Sequence, residues 1–182
     1  MDVGDEIAQI AAAAAGFAEA GEELRGVLLV ETLGRRVHLC AFESPARRSW
    51  LALDESAQPL RDRRLVREAA SLAALCEVAE ESAGGGDLPQ LRARLAELRE
   101  NEAPAGIEEA ESAAASLADT LRPEPRVASQ AYLDEIGTAS RRLEQALGES
   151  GGSPFALAMQ SALGAVEELA ADIERNHKLD LS

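Results

Sequence analysis

The chain is 182 residues long and 46% hydrophobic, enough to bury a real core, yet only five residues are aromatic (Phe17, Phe42, Trp50, Tyr132, Phe155). Much of the apolar content is alanine, which disfavours an all-β sandwich or barrel and favours closely packed helices. The 33 acidic residues against 18 basic ones give a net charge of −15, which repels phosphate backbones and anionic lipid surfaces; no nucleic-acid or membrane partner is expected.

The first six residues carry three acids, Asp2, Asp5 and Glu6, and no base, unlike the positive start of a signal peptide, and no stretch approaches the ~20 apolar residues of a membrane span. Cys40 and Cys76 lie far apart in apolar contexts, which reads as two buried thiols and a cytoplasmic location.

Ile7, Ile10, Ala14, Phe17, Gly21 and Leu24 recur at three- and four-residue steps and predict a first helix over 5–24. The period then falls to two. Residues 27–32 and 36–42 read as strands about a Leu33-Gly34 turn, and 49–54 as a third strand. The middle run is apolar on both faces, with Val37, Leu39 and Ala41 on one and His38, Cys40 and Phe42 on the other. It therefore needs cover on both sides, from helices or a second subunit.

Asp62 is placed to cap a second helix whose stripe runs Leu65, Val66, Ala69, Leu72, Ala73, Cys76 and Ala79. Gly84-Gly85-Gly86 marks a linker. Beyond it, Asp87 and Gln90 suggest a capped short third helix over 88–98. Helix four starts near Pro104 and is closed off by Pro123 and Pro125. Helix five carries Tyr132, Ile136, Ala139, Leu143 and Leu147, and helix six, opened by Ser153-Pro154, carries Phe155 through His177. Short connections predict antiparallel neighbours among the last three. The expected architecture is α+β and mostly helical: helix, three-stranded antiparallel meander, helix, then an antiparallel helical bundle. Residues 1–84 form the α-βββ-α unit and 87–182 the bundle. At fold level the helix–strand–strand–strand–helix order of an acidic chain resembles the secretion chaperones, a class of small dimeric proteins, from which the helical second half departs.

Glu174-Arg175-Asn176-His177 places a carboxylate and an imidazole three residues apart, the spacing used by carboxylate-bridged di-iron bundles. Such a site needs a second E-x-x-H, and the only other histidine, His38, lies in a strand. What remains is a mononuclear metal site of Glu174 and His177 with Glu77 or Glu80 from helix two. The pairs Glu77/Glu80, Glu97/Glu100 and Glu108/Glu111 have the spacing of magnesium-binding carboxylates; projection turns Glu97 and Glu100 to water and keeps Glu80 near an apolar stripe. His38 and Cys40 share a strand face, close enough to pair, but no nucleophile elbow accompanies them, and a core thiol beside a core histidine is the simpler reading. Gly84-Gly85-Gly86 follows a helix and lacks G-K-[ST], so it is no phosphate cradle, and no cofactor is expected. Arg61, Arg63, Arg64 and Arg67 form one basic cluster at the start of helix two, either neutralised by Asp54, Glu55 or Glu68 or offered to an acidic surface on a partner. Trp50 is an anchor of the sheet core or an exposed contact. These features favour a non-enzymatic interaction or adaptor module, a homodimer or bound to another protein. The competing reading is a small-molecule or metal-binding protein, including a hydrolase, with its site at Glu77, Glu80, Glu174 and His177.

Overall fold

A two-residue turn sets the centre of the sheet. Leu33 (φ 50°) and Gly34 (φ 69°) both take positive φ, the backbone of a tight hairpin turn whose twist matches its flanking strands. The computed structural model describes residues 2–84, 88–101, 104–121, 126–148 and 154–179. In chain order its elements are α1 (Val3–Ala15), β1 (Glu23–Thr32), β2 (Arg35–Glu43), β3 (Arg48–Leu53), α2 (Arg63–Gly84), α3 (Leu88–Asn101), α4 (Pro104–Leu121), β4 (Val127–Ser129), α5 (Gln130–Ala146) and α6 (Pro154–Arg175). No helix among the described residues is long and apolar enough to cross a membrane. Gly85, Gly86, Asp87, Pro123, Pro125 and Ser153, and the side chain of Gln90, to which linker, cap and breaker roles are assigned above, lie outside the described residues.

The described residues form two compact units. The first draws on residues 1–75, 125–130 and 164–182, the second on 76–124 and 131–163. In the first, the expected antiparallel meander is present: Thr32 pairs with Arg35 and the ladder runs to Glu23–Glu43, with a bulge between Leu24 and Gly26, and β3 pairs with β2 from Arg48 to Leu53. The sheet is nevertheless mixed. A fourth strand, β4, lies parallel to β1, giving the order β3-β2-β1-β4. Three residues, Val127 to Ser129, are too few to reveal a period of two, so β4 is set by the non-local partner it finds on β1.

Both faces of β2 are covered, as its two apolar sides require. Cys40 and Phe42 join Leu51 and Leu53 in packing against Ile10 and Ala14 of α1. On the opposite face, Trp50 packs against Ala70 of α2 and Ala170 and Ile173 of α6. The later turns of α6 therefore serve the sheet instead of a purely helical bundle. In the second unit, Leu117 of α4 meets Ala139 and Leu143 of α5, flanked by Ala83, Ala113, Ala114, Leu121 and Leu147. Alanine at these contacts permits close approach of the helices.

Two helix ends differ from expectation. The first helix stops at Ala15, where the Gly16 N–H donates to the Ala13 carbonyl and the Phe17 N–H to the Ala14 carbonyl, and Leu24 belongs to β1. Extending β1 back to Glu23 satisfies the backbone along the full length of β2, and Gly16 and Gly21 give a helix little to oppose that. Helix six ends at Arg175, so His177 is not on it. Instead the segment 176–179 turns along the outer edge of β3, where Trp50 N–H donates to Asn176 O at 3.0 Å and Lys178 N–H to Trp50 O at 2.8 Å.

Candidate functional site

Glu174 and His177 fall in the first unit, Glu77 and Glu80 in the second. His177 is 8% exposed, and its Nε2 accepts a hydrogen bond from the buried Ala52 N–H at 3.1 Å. The ring proton is then on Nδ1, 3.4 Å from the Leu179 carbonyl. Burial lowers the His177 pKa against the opposing Leu179 contact, which keeps the ring neutral and able to accept. Glu174 turns to Arg63, 3.4 Å from its Nη2. Glu80 accepts from the Tyr132 hydroxyl at 2.9 Å, and Glu77 is exposed. Among the described residues, no group of three or more His, Cys, Asp or Glu is placed to hold one ion. Of the other acidic pairs, Glu97 and Glu100 are exposed as projected, and Glu111 pairs with Arg99 at 3.4 Å.

His38 and Cys40 do share a face, under α1. His38 is fully buried, and its Nε2 lies 3.0 Å from Glu6 Oε1. The other Glu6 oxygen accepts from Arg36 at 2.7 Å. Glu6, 7% exposed, thus turns inward from the first turn of α1 and ties that helix to β2. Among the described residues, the His38 Nδ1 has no hydrogen-bond partner. Cys40 is likewise buried, and burial pushes its thiol up to about 12, far from a thiolate nucleophile at neutral pH.

Arg61, Arg63, Arg64 and Arg67 are all exposed. Asp62 caps α2 as expected, accepting from the Arg64 and Leu65 N–H groups at 3.0 and 3.2 Å, and Glu174 supplies the counter-charge for Arg63. Asp54 is occupied with its own turn, accepting from Ser56 and Gln58 at 2.9 Å.

One cluster escapes sequence reasoning because its members are 156 positions apart. Lys178 donates to the Glu22 carboxylate and, at 2.9 Å, to the Phe17 carbonyl, while its ammonium sits 4.1 Å from the centre of the Phe42 ring. The two charged side chains are 6% and 2% exposed. Glu22 also accepts from Ser49 Oγ at 2.7 Å and from Glu19 N–H at 2.9 Å, and Arg47 lies at 3.5 Å on the rim, bridging to Glu19. Burial raises the Glu22 carboxyl, but Lys178, the Glu19 N–H and Ser49 outweigh it and hold the group at about 2. One signal did stand in the sequence: Lys178 is the only lysine among 18 basic residues.

The second unit carries two open grooves along α4 and α5, of about 510 and 420 Å³, which share Ser116 and Arg142. On α6, Leu157 and Leu163 are 59% and 52% exposed. Compared with known proteins, the chain matches no family model, no curated protein and no solved structure.

Proposed function

We propose that this chain is a non-enzymatic interaction or adaptor module that presents the first half of α6 to a partner, a second copy of itself foremost. The observation that carries this reading is a contrast of composition with exposure. From Glu149 to Glu167 no charged residue intervenes, in a chain that is 28% charged, and within that stretch Leu157 and Leu163 are each more than half exposed. An uncharged helix face is the part of a −15 molecule on which two copies approach with least repulsion. Further support comes from the groups with catalytic or ligating chemistry: His38, Cys40, Glu80, Glu174 and His177 all have structural partners or deep burial. Two free buried thiols suit a reducing cytoplasm, and the acidic surface is read as excluding nucleic acid.

Sedimentation tests this directly. The wild-type chain should form dimers at micromolar concentration, and Leu157→Glu with Leu163→Glu should be monomeric with an unchanged circular dichroism spectrum. A wild-type monomer at every concentration would remove the dimer. Stoichiometric metal retained at neutral pH and lost in His177→Ala would overturn the non-enzymatic reading in favour of a metal site that includes His177.

A further inference from the structure

The Lys178 seat has more chemical definition than holding down a short segment requires. An ammonium has three N–H donors, and here it meets three kinds of electron-rich group: the Glu22 carboxylate, the Phe17 carbonyl and the face of Phe42. Seventeen of the chain's 18 bases are arginine, yet the one lysine lies at this point. A guanidinium is planar and wider, so the seat distinguishes the two cations by shape as well as charge. Alongside it, Leu179 packs into the cluster of Ile10, Phe42 and Leu53, His177 meets the Ala52 N–H, and the backbone makes the two Trp50 hydrogen bonds. Those two bonds are the ones an added strand makes when a peptide joins a sheet edge.

We infer that the edge of β3 together with the Glu22–Phe17–Phe42 seat is an ammonium-recognising peptide groove, filled here by the chain's own segment 176–179 and able to exchange it for a lysine-bearing extended segment of another protein. The chemistry of the occupant follows from the seat: an unmodified lysine followed by an apolar residue, in a strand running parallel to β3. Charge complementarity favours such a partner, because a molecule of net charge −15 draws basic segments toward it. The resident segment competes as an intramolecular ligand at an effective concentration on the order of millimolar, so it sets a threshold that an incoming segment must exceed. This surface is separate from the α6 face proposed above, and Leu163→Glu should leave it unaffected.

The test uses the full chain and a synthetic fluorescent peptide of residues 175–182. Lys178→Ala empties the seat and should bind the peptide saturably, about tenfold more tightly than wild type, where the resident segment competes. The same peptide acetylated on its lysine should bind at least about tenfold more weakly, having lost the charge. Equal binding of the two peptides, or no saturable binding to either protein at millimolar peptide, overturns the inference. Should Lys178→Ala fail to fold, the wild-type chain still decides: the Lys178 amide, bonded to Trp50 O, should exchange with solvent several-fold faster in the presence of the unmodified peptide. An unchanged exchange rate overturns the inference. A wild-type dimer that Lys178→Ala dissociates and Leu163→Glu does not would assign the groove to a second copy and overturn the partner proposed here.

Discussion

Replacing Glu22 by glutamine keeps the shape of the side chain and removes its charge from a seat it shares with Lys178. In the folded protein the carboxyl titrates at about 2 against an ordinary 4.5. A fall of that size corresponds to about 3 kcal/mol at full effect. Arg47 and Glu19 on the rim are more than half exposed, so solvent screening reduces the expected value to about 2 kcal/mol. The sign follows from the direction: the unfolded chain takes up the proton near 4.5 and the folded chain only near 2. The contribution is therefore complete above pH 5 and is lost as pH falls toward 2. Urea unfolding followed by the fluorescence of Trp50, the only tryptophan and a member of the same unit, would measure it. Glu22→Gln should be less stable than wild type by about 2 kcal/mol at pH 7, and the gap should shrink by roughly a third or more by pH 3.5. A gap that stays constant from pH 7 to 3.5 would refute the claim that this carboxylate is held charged by Lys178.

Three further outcomes are expected. Leu33 is 57% exposed and holds φ 50°, so Leu33→Asn gives up little burial, relieves a left-handed conformation and should stabilise the hairpin by about 1 kcal/mol; an unchanged or lower urea midpoint would count against it. His177→Ala leaves the buried Ala52 N–H unpaired at a cost of about 1–3 kcal/mol. Because burial lowers the His177 pKa, its contribution is whole above the unfolded value near 6.5 and declines as pH falls, so the gap between variant and wild type should narrow from pH 7.5 to 5 in the same assay. Cys40, with its thiol near 12, should resist a chromogenic thiol reagent at pH 8 until urea unfolds the chain, and rapid native labelling would contradict the burial described.

Local features were legible from residues alone. The Leu33-Gly34 turn, the alternation in β2 that demands cover on two faces, and the Asp62 cap are each written within a few positions, and each is present. Features that depend on distant pairing were not. Helix one looked longer because Leu24 continued its spacing by coincidence, while the partner that claims Leu24 for a strand, Phe42, is 18 positions away. His177 continued the stripe of helix six in projection, yet its ring serves Ala52, 125 positions earlier. Nothing in the spacing of helix one marks Glu6 as buried, and only the sheet's register brings His38 and Arg36 beneath it. The candidate metal ligands show the same limit: periodicity places Glu174 and Glu80 on helix faces but cannot say that Arg63 and Tyr132 are waiting there.

The first unit is assembled from three stretches of chain, with the whole of the second unit encoded between them. On a ribosome, α1, β1, β2 and β3 precede α6, so the edge of β3 stays uncovered, and Trp50 has Ala70 of α2 but not Ala170 and Ile173 of α6, until residues 164–179 have been made, some hundred positions later. For that interval the nascent sheet has an unprotected border and an indole covered from one helix only, the situation in which strands pair with wrong neighbours. The intervening helices can mature on their own local contacts meanwhile, so synthesis order makes the sheet-bearing unit, although begun first, the last to be finished.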